Sequence, residues 1–370
     1  MEWIEKTLGE LGDIVGGATP STKHEEYYGG NIAWITPKDL SLLKGRYISY
    51  GERSITEAGL ASCSAQMMPP NTVLFTSRAP IGYVAIARQS VCTNQGFKSV
   101  VPHECVDSLF LYYLLKFNKE RIEAMGSGTT FKEVSGKTMK AVQVRIPCKI
   151  EDQKKIASIL DSIDSKIENN AKINDNLQQQ AFVLFDSFFR NISDGLCTIG
   201  DYLTPKRGRN LLSKDAIPGT VPVVAGGLEP ATYHNTPNTT APVLTISASG
   251  ANAGFVNLWH KPVWSSDSSF IDSSMTKDVY FWFVMLKKRQ REIFDAQTGS
   301  AQPHIYPQHI AAMPVCALDK SAISLFSSQV APLFALIGAN KDENERLSAI
   351  RDTLLPRLIS GEIDVSDVKL

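Results

Sequence analysis

None of the six cysteines, at positions 63, 92, 105, 148, 197 and 316, stands in a C-x-x-C spacing, which removes a zinc ribbon and a thioredoxin-like redox pair and leaves the thiols free. Net charge is missing too. The 38 Lys and Arg balance 38 Asp and Glu, so the chain lacks the overall basicity that marks a self-sufficient nucleic-acid binder. Contact with DNA would need local basic patches or a basic partner. The longest strongly apolar run, around Val330, is only about ten residues, short of the roughly 20 that a membrane span needs. The charged start Met1-Glu2-Trp3-Ile4-Glu5-Lys6 has no apolar leader region. A cytoplasmic protein without a membrane partner is expected.

The motifs of catalysis are absent as well. Ser135-Gly136-Lys137-Thr138 resembles the end of a phosphate-binding loop, but Phe131 stands where that loop needs its first glycine. His304 and His309 are five apart, which fits neither an i, i+4 metal pair nor H-E-x-x-H. There is no G-x-S-x-G, no G-x-G-x-x-G and no Asn-Pro-Pro-aromatic string, and nothing in the sequence gives Ser64 or Ser77 a partner. No catalytic residue, metal ligand or cofactor of this chain follows.

What is present begins with size and repetition. With 370 residues, 43% hydrophobic and 21% charged, the chain has the composition of a globular protein and enough length for two domains. Thr7-Leu8-Gly9-Glu10-Leu11 is echoed by Thr198-Ile199-Gly200-Asp201-Tyr202, and Val73-Leu74-Phe75-Thr76-Ser77 by Val243-Leu244-Thr245-Ile246-Ser247. Gly82-Tyr83-Val84 matches Gly254-Phe255-Val256, Gly126-Ser127 matches Gly299-Ser300, and Ile167, Asn170, Asn174 and Leu177 match Ile337, Asn340, Asn344 and Leu347. Five matches in one order indicate an internal repeat. Each copy opens with short apolar runs between Gly, Pro, Ser and Thr, the signature of short strands with long loops, interrupted by a helix at 108–124 or 277–294. The fold class expected is α+β, with globular parts at 1–150 and 191–315.

The period then changes. From Ile156 the apolar residues fall alternately four and three apart through Leu160, Ile163, Ile167, Leu177, Ala181, Leu184 and Phe188, with Asn170 and Asn174 in the same frame. Moved by 170 residues, the frame runs through Phe326, Val330, Leu333, Ile337, Asn340, Asn344, Leu347, Leu354 and Leu358, with Arg351 in it. A sustained 3.5-residue spacing is the coiled-coil pattern, and a polar Asn in the seam fixes register and partner. The expected organisation is therefore a central helix in 151–190 and a C-terminal helix in 316–370, paired antiparallel about an internal pseudo-twofold. Their seam would be Ile163, Ile167, Asn170, Asn174 and Leu177 against Leu333, Ile337, Asn340, Asn344 and Leu347. Pro332 should start or kink the second helix and Pro356 bend its end.

Charge is distributed to match. Residues 1–155 carry 19 Lys and Arg against 16 Asp and Glu, and 195–315 carry 10 against 8, whereas 156–190 has 3 against 5 and 316–370 has 6 against 8. The globular parts are the better DNA candidates. Lys206-Arg207-Gly208-Arg209, among Gly, Pro and Asn, ranks above Lys287-Lys288-Arg289-Gln290-Arg291 as a phosphate-binding cluster.

The string Tyr28-Gly29-Gly30-Asn31-Ile32-Ala33-Trp34-Ile35-Thr36-Pro37-Lys38-Asp39-Leu40 resembles the Gly-Gly-x-Ile-x-Trp segment of target recognition domains in the specificity (S) subunits of type I restriction-modification systems. Gly126-Ser127-Gly128-Thr129-Thr130, then Ile146-Pro147, Gln153-Lys154-Lys155-Ile156-Ala157 and Leu160-Asp161, resemble the junction from such a domain into its spacer helix. Leu354-Leu355-Pro356-Arg357-Leu358-Ile359-Ser360-Gly361-Glu362-Ile363 resembles the family's C-terminus. The second half departs, with Gly219-Thr220-Val221-Pro222-Val223-Val224-Ala225-Gly226-Gly227 in place of the Trp segment and Gly299-Ser300-Ala301-Gln302-Pro303-His304 in place of Gly-Ser-Gly-Thr-Thr.

The resemblance implies a non-catalytic subunit with two target recognition domains, each reading half of a bipartite asymmetric DNA target through the major groove. The helices would set the gap and dock two modification subunits. Implied partners are double-stranded DNA, those methyltransferase subunits and, where the system restricts, ATP-dependent restriction subunits. S-adenosylmethionine, ATP and Mg would belong to the partners, and the assembled complex would methylate adenine and cleave DNA. Loop residues with hydrogen-bonding capacity beside Gly-rich segments are the expected DNA contacts: Lys38, Arg78, Ser127, Thr129 and Thr130 in the first domain, and Lys206, Arg207, Arg209, Ser249, Asn252, Ser300 and Gln302 in the second. The alternative is a non-enzymatic coiled-coil tether with two protein-binding domains.

Overall fold

The structure, a computed structural model, describes residues 1–370 apart from 79, 129–131, 300, 301, 369 and 370. It divides into two compact units, Met1–Asn169 with Asn344–Leu370, and Asn170–Glu343. Two long helices, α7 (Ile150–Phe188) and α11 (Lys320–Ile359), are thereby each cut near the middle, because each half packs on the core of one globular part.

In the first unit β1 (Trp3–Thr7) pairs antiparallel with β10 (Gln143–Pro147). The main sheet has the order β2 (Gly12–Gly16), β9 (Lys98–Pro102), β6 (Val73–Phe75), β7 (Val84–Ala87) and β4 (Tyr47–Ile48), antiparallel except between β7 and β4. A smaller sheet holds β3 (Tyr28–Ile35) between antiparallel β5 (Ser54–Ile55) and parallel β8 (Cys92–Thr93). Threonines open the three short helices α1 (Leu8–Leu11), α2 (Pro37–Ser41) and α3 (Glu57–Ala61). Thr7 and Thr36 form capping boxes with Glu10 and Asp39, and Thr56 Oγ1 accepts the Gly59 N–H, so donors without a helical partner are satisfied locally.

The helix expected over 108–124 is two helices, α4 (Ser108–Phe117) and α5 (Lys119–Ala124), because Asn118 Nδ2 turns back to the Leu114 carbonyl at 2.8 Å and caps the first. In α4 the six side chains from Phe110 to Leu115 are all buried, so it is a core helix rather than an amphipathic one. Residues 135–138, the string that resembles a phosphate loop, open α6 (Gly136–Ala141): Ser135 Oγ accepts the Thr138 N–H at 3.0 Å.

The second unit follows the same order with fewer elements, having no counterpart of α2, β4 or α3 among its described residues. β11 (Cys197–Thr198) pairs with β19 (Pro314–Val315), and the main sheet runs β12 (Lys206–Arg207), β18 (Ser268–Asp272), β15 (Val243–Ser247), β16 (Val256–Trp259), all antiparallel. β13 (Val221–Val224) lies between antiparallel β14 (Thr232–His234) and parallel β17 (Trp264–Ser265). Helices α8 (Val279–Lys288), α9 (Gln290–Asp295) and α10 (Pro307–Ala311) follow, each starting 171 residues after α4, α5 and α6.

Within the first unit Ile156, Ala157 and Leu160 of α7 share a core with Leu358 and Ile359 of α11, and Asn344 Nδ2 donates to the Ile167 carbonyl at 3.2 Å. Within the second, Ala181 and Phe185 share a core with Phe326, Val330, Phe334 and Ile337. There Asn340 Nδ2 donates to Asn174 Oδ1 at 2.8 Å and Asn170 Nδ2 to Glu343 Oε2 at 2.6 Å. In each unit, later residues of one helix meet earlier residues of the other.

Among the expected seam residues, Asn170, Ile337 and Asn340 are buried, while Ile163, Ile167, Asn174, Leu177, Leu333, Asn344 and Leu347 are half-buried. The frame slips by one residue in two places, burying Asp164 in preference to Ile163 and Phe185 in preference to Leu184. An α-helix turns every 3.6 residues, and a strict 3.5 frame drifts unless the helices supercoil. Pro332 neither starts α11 nor ends it; the helix begins at Lys320 and passes through that exposed proline. By length and composition α11 is also apolar enough to cross a membrane, with a stretch of mean hydropathy 1.6 that is interrupted by polar residues rather than continuous. Its Phe326, Val330, Phe334 and Ile337 are core residues of the second unit, while Leu325 and Leu336 on the same helix are exposed.

Candidate nucleic-acid interface

At the end of β6 the chain enters a junction of three loops. The Ser77 N–H donates to the Gly96 carbonyl at 2.7 Å, and the Val134 N–H to the Ser77 carbonyl at 2.9 Å. Ser127 and Glu133 exchange both backbone hydrogen bonds, at 3.0 and 2.9 Å, and Arg78 bridges to the same Glu133. Two expected contacts, Arg78 and Ser127, are thus brought together around a residue that sequence reasoning missed. Glu133 receives Arg78 Nη1 at 3.7 Å and Lys98 Nζ at 3.4 Å. Gly128, at φ +126°, supplies a turn that L side chains rarely adopt. Thr129 and Thr130 lie outside the described residues. Lys38 stands on α2, paired with Glu52 at 2.6 Å; hydrogen bonding to that carboxylate and its charge raise the Lys38 pKa.

The second unit has the corresponding junction at the end of β15. The Ala248 N–H donates to the Asp267 carbonyl at 3.1 Å and the Ile305 N–H to the Ala248 carbonyl at 2.9 Å. Thr298 and His304 exchange backbone bonds at 3.0 and 2.8 Å, Ser249 bridges to His304, and Gly299 has φ +93°. Gly299 therefore corresponds to Gly128, and Thr298 to Ser127, which corrects the pairing of Gly126-Ser127 with Gly299-Ser300 by two residues. Arg207 Nη2 donates to Asp267 Oδ1 at 2.7 Å and the Ser249 hydroxyl to Asp267 Oδ2, so these two expected residues meet at one carboxylate. Lys206, Arg209 and Gln302 are exposed and Asn252 is half-buried, while Ser300 lies outside the described residues. Gly208 lets β12 pass: a Cβ there would stand 2.4 Å from the Ser265 carbonyl oxygen.

The second basic run is largely consumed by the fold. Lys287 Nζ donates to the Val256 carbonyl at 2.8 Å over the Phe255 ring, and burial lowers its pKa to about 8. Arg289 is buried, bonded to Glu292 and the Pro314 carbonyl, and Lys288 pairs with Asp186. Arg291 is exposed, paired with Asp295.

A charged cluster in the first unit also escaped sequence reasoning. Arg46, 5% exposed, lies 3.1 Å from Asp161, 3.8 Å from Asp164 and 3.6 Å from Glu168, with Nη2 donating to Ser165 Oγ at 2.9 Å. Asp164 accepts from the Tyr113 hydroxyl at 2.8 Å and from Arg351 Nη1 at 2.9 Å. Burial, then the Asp164 charge, push the Tyr113 pKa up. The signal was available: residues 161, 164 and 168 share one face of a helix, and Arg351 sits at an otherwise apolar seam position. This cluster fixes the loop before β4 onto α7. No group of acidic, His and Cys residues suited to a metal occurs among the described residues.

Residues 1–179 match the type I restriction modification DNA specificity domain. Over 410 aligned residues the chain is 33% identical to the type I restriction enzyme MjaIX specificity subunit of Methanocaldococcus jannaschii, covering 99% of this chain and 95% of the relative. The chain belongs to the specificity subunits of type I restriction enzymes. A putative type I specificity subunit of Mycoplasma pneumoniae is 24% identical, with 96% of each chain covered. Among solved structures, the type I restriction-modification S subunit of M. genitalium has the same fold, with a TM-score of 0.61 at 20% identity over 97% of this chain and 96% of that one.

In this specificity subunit the Gly-Gly-x-Ile-x-Trp segment is the core strand β3, where Trp34 is buried and its Nε1 donates to the Ala18 carbonyl at 3.0 Å. The C-terminal motif ends α11, with Leu358 and Ile359 buried and Gly361, at φ +82°, against the Trp3 ring. These two of the three motifs that carry the family resemblance are packing elements. Of the residues expected to contact DNA, Arg78, Ser127 and Ser249 lie on the loop junctions, Lys206 and Arg207 on β12, and Lys38 on α2 beside the Trp segment.

Proposed function

We propose that the globular parts of the two units are tandem target recognition domains, each reading one half of a bipartite, asymmetric duplex DNA target. The observation that carries this is the recurrence, 171 residues later, of the three helices α4, α5 and α6 as α8, α9 and α10 and of the loop junction beside them, each unit ending on its own portion of α7 and α11. Two readers of one build, with different loops, suit a target whose halves differ. The long helices, at 39 and 40 residues, would be roughly 60 Å each at about 1.5 Å per residue. As an antiparallel coiled coil with pseudo-twofold symmetry they would hold the gap between half-sites and offer matching surfaces to two modification subunits.

In this reading the subunit performs no chemistry. Methylation of adenine with S-adenosylmethionine, and ATP- and Mg-dependent cleavage where restriction subunits join, belong to partners in the cytoplasm. The even charge balance of the chain fits a protein whose partners share the phosphate attraction. The test is single-molecule methylome sequencing of a host that carries the chain with its modification subunits, against the same host lacking the chain. One bipartite motif with a fixed gap, lost on deletion, is expected. A methylome unchanged by the deletion would overturn the proposal.

A further inference from the structure

The two loop junctions share a backbone frame and differ in side chains. Residues 77, 78, 127, 133 and 134 make the same bridges and amide bonds as residues 248, 249, 298, 304 and 305, each 171 positions later. Three loops are locked together by backbone bonds of 2.7–3.1 Å in both places. Side chains that leave such a frame start from fixed positions, which sequence readout needs.

Val134 and Ile305 are both apolar and buried, Ser77 and Ala248 both small and buried, and Ser127 and Thr298 both present an exposed hydroxyl. The remaining two pairs differ in chemistry. Arg78 and Glu133 carry opposite charges, 3.7 Å apart and each more than a third exposed; their counterparts are Ser249 and His304. A role in packing would ask for similar side chains on an identical frame. Exchange of an ionic pair for a hydroxyl and an imidazole, with the frame retained, is what two readers of different sequences require.

Resting on the proposal that each domain reads DNA, we infer that positions 78 and 133, and their counterparts 249 and 304, determine which base pair each domain accepts, while the hydroxyls of Ser127 and Thr298 hold the phosphate backbone. Arg78 presents a planar set of N–H donors, and Glu133 only acceptors. In the major groove guanine shows two acceptors, N7 and O6, and its paired cytosine shows the N4 donor. The Arg78–Glu133 pair is thus complementary to a G·C pair. The second junction carries no fixed charge at these two positions and selects through hydroxyl and ring nitrogen, with Asp267 held by Arg207 behind Ser249.

The test is the full-length chain with its modification subunits, comparing wild type, R78S/E133H, S249R/H304E and S127A by methylome sequencing and by binding to the cognate site across salt. R78S/E133H should relax or change one G·C position of the first half-site, with discrimination there falling roughly ten- to a hundredfold. The second half and the gap should stay as they are, and S249R/H304E should act likewise on the second half alone. S127A should weaken binding to cognate and unrelated duplexes alike without altering the motif, and should leave the salt slope unchanged, because a neutral hydroxyl neutralises no phosphate. An unchanged motif from either double variant that still methylates at the wild-type rate overturns the inference. If R78S/E133H fails to assemble, S249R/H304E decides it on the other half. A wild-type complex with no bipartite motif would instead refute the DNA-reading proposal beneath it.

Discussion

Replacing Asp164 by Ala removes the centre of the charged cluster in the first unit. The carboxylate side chain is 8% exposed and takes the Tyr113 hydroxyl at 2.8 Å and Arg351 at 2.9 Å, with Arg46 3.8 Å away. Without it the Tyr113 hydroxyl loses its acceptor and two guanidinium groups lose a shared anion. Arg46 keeps Asp161 and Glu168, and Arg351 keeps Asp352 at 2.8 Å, so neither cation is left wholly unpaired. Breaking a buried pair costs about 3–5 kcal/mol; with this residual pairing the expected loss is at the lower end, about 3 kcal/mol. Native-state hydrogen exchange along α4 and the first half of α7 reads the loss, with amides of α8 as the internal control. Asp164→Asn, which keeps an acceptor for Tyr113, should lose less than Ala. A loss below about 1 kcal/mol in the first unit, or an equal loss in α8, would refute the reasoning.

Other perturbations follow the same logic. Phe326→Ala, at a fully buried ring with Phe185, Phe188 and Phe189 at centroid distances of 5.5–5.9 Å, should destabilise the second unit by about 3–5 kcal/mol, measured by urea unfolding. Burial, then the charge of Lys341, lower the His260 pKa to about 4 from an ordinary 6.5, and its Nε2 is buried without a hydrogen-bond partner among the described residues. Its neutral form is the folded one, so its contribution is complete above pH 6.5 and is lost as pH falls toward 4, about 2–3 kcal/mol in all. The unfolding free energy of His260→Gln should therefore vary less with pH across that range than wild type, and equal slopes would contradict this. Arg209→Ala should lower affinity for cognate and unrelated duplexes alike and reduce the salt slope by about 0.9; an unchanged slope removes Arg209 from the interface.

Much of the plan was legible because it is periodic. The 3.5-residue spacing located both long helices to within a few residues of Ile150–Phe188 and Lys320–Ile359. Periodicity could not reveal that Asn118 ends one helix and allows another to begin, which depends on a single side chain turning back on its own carbonyl. Nor could it show that Asp164 displaces Ile163 from the seam, since the reason is an arginine 118 positions earlier. At the corresponding places in the second unit stand Phe334 and Ala181, so the same helix positions are filled by charge in one unit and by apolar packing in the other. For the candidate interface, sequence picked out Arg78, Ser127, Arg207 and Ser249 by chemistry and neighbouring glycines. It missed Glu133, Asp267 and His304, because their importance comes from bridges between loops that are distant in sequence.

Exchange of residues 1–145 for the equivalent domain of a relative tests most directly whether the subunit contains two independent readers. Methylome sequencing of a host carrying the chimera and the original modification subunits gives the answer. A new first half-site, joined through the same gap to an unchanged second half-site, is the predicted result. A motif altered in both halves, or one unchanged by the exchange, would contradict it.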